Sequence, residues 1–195
     1  MPKELVLILS AVVISTIPVI GQTPNVAPGA LPAPISGFRA EFLTELTVTE
    51  MHMLQLAEAI PESKFNWRPA PGVRSISEVL LHVAAANFNL PKLIGTPPPE
   101  GFQVKGYETA TTEKAKVVAS LRDSFAHVRK AAAAMTDADG EKKLPWFGGS
   151  QNTRRGILFF MTRHSAEHMG QLISYARMNG ITPPWSEPGE AAKKS

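Results

Sequence analysis

Four stretches of the chain bring apolar side chains back every three or four residues, the period of an amphipathic helix. The first, Phe38 to Ile60, carries Phe42, Leu43, Leu46, Met53, Leu54, Ala57 and Ile60 on one stripe, follows Ser36 as a cap and stops at Pro61. The second opens on Ser75-Ile76-Ser77-Glu78, a capping box in which the serine hydroxyl and the glutamate each satisfy a backbone N–H left over at a helix start. It runs through Val79, His82, Val83 and Ala86 until Pro91 bends or ends it. The third, Thr112 to Met135, places Val117, Val118, Leu121, Phe125, Val128 and Ala132 together and is ended by Asp137 to Gly140. The fourth, Thr153 to Asn179, holds Ile157, Phe160, Met161, His164, His168, Leu172 and Tyr175, then meets Gly180 and Pro183-Pro184, a stop signal. No run alternates apolar and polar residues long enough to claim a sheet. The predicted fold class is therefore all-α, a four-helix bundle.

The connections bear on the topology. About 18 residues, including Pro97-Pro98-Pro99 and Gly101, separate the second and third segments, enough at about 3.3 Å per residue to travel the roughly 30 Å length of a bundle. That lets helices two and three run parallel in an up-down-down-up order. The 14-residue stretch Pro61 to Arg74 is the alternative crossover.

The ends of the chain read differently from its middle. Lys3, an apolar stretch from Leu5 to Ile20, and the small residues Val19 and Gly21 make residues 1–21 a secretory signal peptide cleaved before Gln22. At 16 residues and with Pro18 inside it, the stretch is short for a retained anchor, so no stable membrane span is expected in the mature form. Residues 22–36 carry Pro24, Pro28, Pro32 and Pro34 among Ala and Gly and form a linker; residues 37–185 form the folded unit and 186–195 a tail. The expected location is periplasmic or secreted.

Composition narrows the chemistry. Twenty Lys+Arg against 17 Asp+Glu give a net charge of +3 with no concentrated basic block, so no nucleic-acid partner is expected. With no cysteine at all, any metal must be held by His, carboxylate or water. Among the five histidines, His164 and His168 stand four apart in the fourth segment and project from one face, one turn apart, with Gln171 and Tyr175 continuing that face. His82, on the apolar stripe of the second segment and followed by Ala84-Ala85-Ala86, supplies a third imidazole. Buried neutral imidazoles need polar partners, and one shared cation serves all three. His82, His164 and His168 are thus the candidate ligands of one divalent ion, Zn, Ni or Fe, with a coordination position left open. His52 and His127 fall off the apolar stripes and are expected in solvent.

His164-Ser165-Ala166-Glu167-His168 also fits H-x-x-E-H, the inverted zinc-peptidase pattern. That reading needs a further ligand well downstream, whereas only 27 residues follow His168. Glu167 instead suits a salt bridge to Arg163. No Glu-x-x-His occurs to support a di-iron bundle. Trp67 is expected to plug one end of the bundle while Arg68 pairs locally, and Asn87 is placed outside the site.

With these residues in view, Phe38 to Pro184 resembles the DinB-like (YfiT-like) family. The matching features are Ala57-Glu58-Ala59-Ile60-Pro61, Trp67-Arg68-Pro69, Gly72-Val73-Arg74-Ser75 and Glu78 to His82. Most specific is His164-Ser165-Ala166-Glu167-His168-Met169-Gly170-Gln171-Leu172, followed by Tyr175 to Pro184. The resemblance implies an up-down-down-up bundle, often a homodimer, with a metal held by one histidine of helix two and two of helix four, which maps onto His82, His164 and His168. It also implies metal-assisted chemistry such as thiol-dependent S-transfer. The expected function is that of an exported metal-binding protein, a metal-dependent hydrolase or S-transferase acting on a small-molecule substrate. The alternative is a non-catalytic metal-stabilised scaffold or small-ligand-binding module of the cell envelope.

Overall fold

Four long helices form where the periodicity puts them, within a residue or two. In the computed structural model, which describes residues 37–186, they are α1 (Gly37–Ala59), α2 (Ile76–Asn89), α3 (Lys114–Ala134) and, after the single turn α4 (Asp137–Gly140), α5 (Arg154–Met178). The expected leader, linker, Ser36 cap and nearly all of the tail lie outside the described residues. Among the described residues no helix is long and apolar enough to cross a membrane.

Side-chain contacts fix the direction of each helix. Lys114 at the start of α3 donates to the carbonyls of Glu58 and Ile60 at the end of α1, and Arg39 at the start of α1 bonds Asp137 and Met135 beyond the end of α3. These two helices are therefore antiparallel. Arg155 lies over the Phe38 ring, 5.6 Å from its centroid, so α1 and α5 start side by side and run parallel. Trp67, before α2, meets Tyr175 near the end of α5 with ring centroids 5.4 Å apart, which makes α2 and α5 antiparallel. The order is up-down-down-up. Helices α2 and α3 are the parallel pair, and the long segment 95–113 is the crossover between them.

The stripes meet in one core. Phe42, Leu46, Met53, Leu56 and Ile60 from α1 pack with Val79, Leu80 and Val83 from α2, Val117, Leu121, Phe125 and Val128 from α3, and Ile157, Met161 and Leu172 from α5, all buried. Two buried polar residues pair inside the core: Asn87 donates to Ser124 Oγ at 3.2 Å, and Ser124 donates to the Leu121 carbonyl at 2.7 Å. Asn87 thus ties α2 to α3.

The bundle carries one feature that periodicity missed. Strands β1 (Lys143–Pro145) and β2 (Gln151–Thr153) pair antiparallel, with Leu144 opposite Asn152, to form a small hairpin ahead of α5. Three residues per strand are too few for an alternating pattern to register. The hairpin tip, Trp146 to Ser150, turns on Gly148 and Gly149, both in the left-handed region at φ 65° and 76°, which glycine enters without steric cost.

Candidate metal centre

The site is built from both ends of the α2–α5 contact. Ser75 accepts from the Glu78 N–H at 3.3 Å while Glu78 accepts from the Ser75 N–H at 2.7 Å, completing the capping box. This starts α2 at Ile76 and so sets the rotation that turns His82 toward α5. On α5, Leu172, Tyr175 and Ala176 are buried on the core side, which places His164 and His168 at the edge of that face, half-buried and one turn apart.

The three imidazoles converge. One ring nitrogen from each of His82, His164 and His168 lies within 4.8 Å of the others. Ring centroids stand 4.9 Å apart for His82 and His164, and 4.6 Å apart for each of the other two pairs. His82 Nε2 and His164 Nε2 are 3.0 Å apart. Two nitrogens bound about 2.0–2.1 Å from a single ion lie roughly that distance from each other.

Neighbouring groups decide which nitrogen carries the proton. Glu108, from the crossover, receives Arg74 Nε on one oxygen at 2.6 Å and lies 2.5 Å from His82 Nδ1 with the other. Burial pushes the Glu108 carboxyl up, but the hydrogen bonds and charges of Arg74 and His82 more than offset this and hold it below the usual range. An ionised carboxylate only accepts, so His82 Nδ1 is the donor and its Nε2 presents a lone pair. On α5, His168 Nδ1 donates to Gln171 Oε1 at 2.9 Å, and Gln171 Nε2 donates to Tyr175 Oη at 2.8 Å. His168 Nε2 is thereby left as the free acceptor.

Burial pushes His164 down to about 4, assisted by positive charge on His168 and His82, and it also lowers His168 against the hydrogen bond to Gln171. His164 is therefore neutral at pH 7, and the same burial favours the neutral form of His168. Three imidazoles that each bring a ring nitrogen to one place are a donor set for a divalent cation, and the residues fit one. Among the described residues no Asp, Glu or further His joins the trio.

A cleft of about 210 Å3 opens on His82 and His164. Ala85 and Ala86 line it, so the small residues after His82 make room for the cleft as well as for a neighbouring helix. The side walls include Phe147 of the hairpin and Phe160, which stacks on His164 with centroids 6.1 Å apart.

The remaining expectations divide. Glu167 is exposed and pairs with Arg163, so the carboxylate of the H-x-x-E-H pattern points away from the trio. Trp67 packs against the core, and Arg68 donates to the Val73 carbonyl and to Glu78 Oε1, each at 2.9 Å. Neither His52 nor His127 is fully in solvent. His52 stacks on Trp185 at 4.3 Å, and His127 packs against Phe88 at 5.8 Å with its Nε2 buried and unpaired among the described residues. The helical stripe misjudged His127 because α2 packs on that flank, with Phe88 against the His127 ring and Asn87 bonded to Ser124 one turn earlier. Glu108 and Arg74 were not anticipated as orienting groups, and Phe147 was not anticipated as a wall of the site.

A family model described as the DinB superfamily matches residues 45–172. Among solved structures, a DinB-like protein from Bacillus cereus aligns with a TM-score of 0.65 at 18% identity, covering 74% of this chain and 95% of its own. YfiT from Bacillus subtilis, described as a probable metal-dependent hydrolase with an unusual four-helix bundle topology, aligns with a TM-score of 0.60 at 16% identity, covering 78% of this chain and 94% of its own. A second DinB-like protein of Bacillus subtilis gives 0.56 at 20% identity, covering 74% of this chain and 93% of its own. No curated protein matches the chain.

Proposed function

The chain belongs to the DinB superfamily, and from that premise we propose that it is a metal-dependent hydrolase of small molecules whose His82, His164 and His168 hold one divalent cation, with zinc, nickel and iron all compatible with three imidazoles. The observation that carries this reading is the convergence of three ring nitrogens within 4.8 Å beside an open cleft. A purely structural ion is ordinarily closed off by four protein ligands, whereas among the described residues only these three converge. The likeness in fold to YfiT agrees with the reading.

When bound, such an ion supplies a Lewis acid and an acidified water at neutral pH. The chain's own residues do the rest. Glu108 holds the His82 proton on Nδ1, and Gln171 does the same for His168, so that both Nε2 atoms stay directed inward. Phe160 backs the His164 ring and keeps bulk water from that side. We further propose export, on the strength of the signal-like residues 1–21.

The test is the metal content of the purified full chain, together with turnover of a panel of small esters and amides by the zinc-loaded form. One ion per chain, lost in His164→Ala, with metal-dependent turnover is expected. Metal content unchanged in His164→Ala overturns the ligand assignment, and a loaded protein inert toward the whole panel favours the scaffold reading.

A further inference from the structure

The cleft beside the histidines sorts its occupants by charge and size. Its volume, about 210 Å3, lies below the roughly 300–1,000 Å3 of sites for drug-sized ligands, so it takes a group of about one ring. Away from His82 and His164 the walls are Leu90, Val104, Phe147 and Phe160, and among the described residues the only other polar side chains are Asn89 and Glu108. Among the described residues no Lys or Arg lines it. Arg74, which stands next to this cluster, is committed to Glu108 through two hydrogen bonds of 2.6 and 3.3 Å. The cations beside the cleft are engaged elsewhere, Arg163, 5.0 Å over the Phe160 ring, by Glu167 and Lys92 by Asn89 at 2.9 Å, so an anion seated at the apolar end would give up its water against the Glu108 carboxylate.

The apolar end is a built surface. Phe147 is 70% exposed, held out on the hairpin tip where the Trp146 N–H donates to the Ser150 carbonyl at 2.9 Å. Trp146 meets Phe160 edge-on with centroids 5.1 Å apart, and Phe160 stacks in turn on His164. An aromatic wall therefore runs from the hairpin tip to the imidazoles. Flat apolar groups bind such walls by offset or edge-on contact.

Resting on the reading of the three histidines as a metal site, we propose that the substrate is an uncharged small molecule that lays one aromatic or similarly flat apolar group on the Phe147–Phe160 wall and turns its polar reactive group toward His82 and His164. Phe147 is the residue that sets this preference. Because its side chain stands in solvent, Phe147→Ala removes part of the wall without opening the core.

The experiment is a titration of the metal-free full chain at pH 7.5 with benzamide and with benzoate, followed by backbone amide NMR shifts. Benzamide is expected to shift the amides of Ala85, Ala86 and Phe147 saturably, benzoate to bind at least tenfold more weakly, and Phe147→Ala to weaken benzamide severalfold with spectral dispersion retained. Benzoate binding as tightly as benzamide, shifts confined to other regions, or indifference to Phe147→Ala would each overturn the proposal. A parallel zinc titration keeps the two readings apart. Benzamide in the cleft without zinc at the histidines sinks the metal assignment alone, while zinc at the histidines without benzamide in the cleft sinks the substrate class alone.

Discussion

His82 Nδ1 stands 2.5 Å from Glu108 Oε1, and the other oxygen of the same carboxylate takes Arg74 Nε at 2.6 Å. The crossover loop thus fixes the tautomer of a histidine on α2, and Arg74 keeps the loop's carboxylate ionised. Partners of this kind orient a ligand and raise its basicity, and their loss costs about 10–100-fold in metal affinity. Glu108→Ala is expected to fall in that range by competition against a chromogenic chelator. Glu108→Gln, which keeps an acceptor but loses the charge, should lie between Glu108→Ala and the native chain. Equal affinity in all three would show that Glu108 does not orient His82.

The buried imidazoles give the metal-free protein a defined response to acid. Burial, helped by the charges of His168 and His82, pushes His164 down to about 4 from an ordinary 6.5. Between those values the unfolded chain binds a proton that the native His164 refuses, so stability falls as pH drops from 6.5 toward 4, by at most about 1.4 kcal/mol per pH unit for one such group. Glu78 adds a second decline at lower pH. Burial raises it, yet the Ser75 N–H and Arg68 more than compensate and hold it below 4.5. Its contribution is present above that value and disappears as pH falls further. Chelator-treated His164→Leu should shrink the first decline in a melting-temperature profile, leaving the part owed to His168, and keep the second; a first decline of undiminished size would refute the assignment.

Much of this was legible from the residues. The four helices could be read because each stripe runs for several turns and two ends are marked chemically, by Ser75 with Glu78 and by Gly180. His164 and His168 could be paired because a spacing of four is fixed by helix geometry, and His82 could be added because its own stripe faces the core. Glu108 could not be found this way. It lies 26 residues from His82 in a segment whose prolines and glycines give its reach but no side-chain direction. Phe147 escaped for a related reason, since three-residue strands leave no periodic trace, and a hairpin tip is aimed by its contacts with Phe160. The exposure expected for His127 failed because its flank of α3 carries serines that read as solvent-facing, whereas α2 packs there through Asn87 and Phe88.

The capping box links stability to the site. Ser75 accepts the Glu78 N–H at 3.3 Å, and its hydroxyl also meets Ser77 Oγ at 3.1 Å in a buried setting. Removing a cap of this type costs about 0.5–2 kcal/mol. Ser75→Ala should therefore lower unfolding free energy by roughly 1 kcal/mol in denaturant melts. Because α2 carries His82 on its second turn, the same variant should weaken zinc binding, whereas Ser75→Asp, which retains an acceptor at the cap, should restore both. A variant that loses stability and keeps full affinity would separate the cap from the positioning of His82.

The relay on α5 makes the complementary case. His168 Nδ1 donates to Gln171 Oε1, and Gln171 in turn donates to Tyr175 Oη, whose ring is held edge-on by Trp67 with centroids 5.4 Å apart. A neutral amide orients the imidazole without adding charge, so it should matter less than Glu108 does for His82. Gln171→Leu removes the acceptor while roughly preserving bulk; it frees the His168 ring to rotate and is expected to weaken metal binding toward the lower end of the about 10–100-fold range. Gln171→Glu supplies a carboxylate at the same place and should bind zinc at least as tightly as the native chain, with the His168 pKa raised in an NMR titration of the metal-free protein. Tyr175→Phe strips only the last acceptor, leaving the Gln171 amide one bond short, at a cost of about 0.5–1.5 kcal/mol in stability and little change in affinity. The expected order of affinities, Glu at 171 at least equal to Gln and both above Leu, is specific to a hydrogen bond acting on His168; any other order would mean that Gln171 merely packs beside the ring.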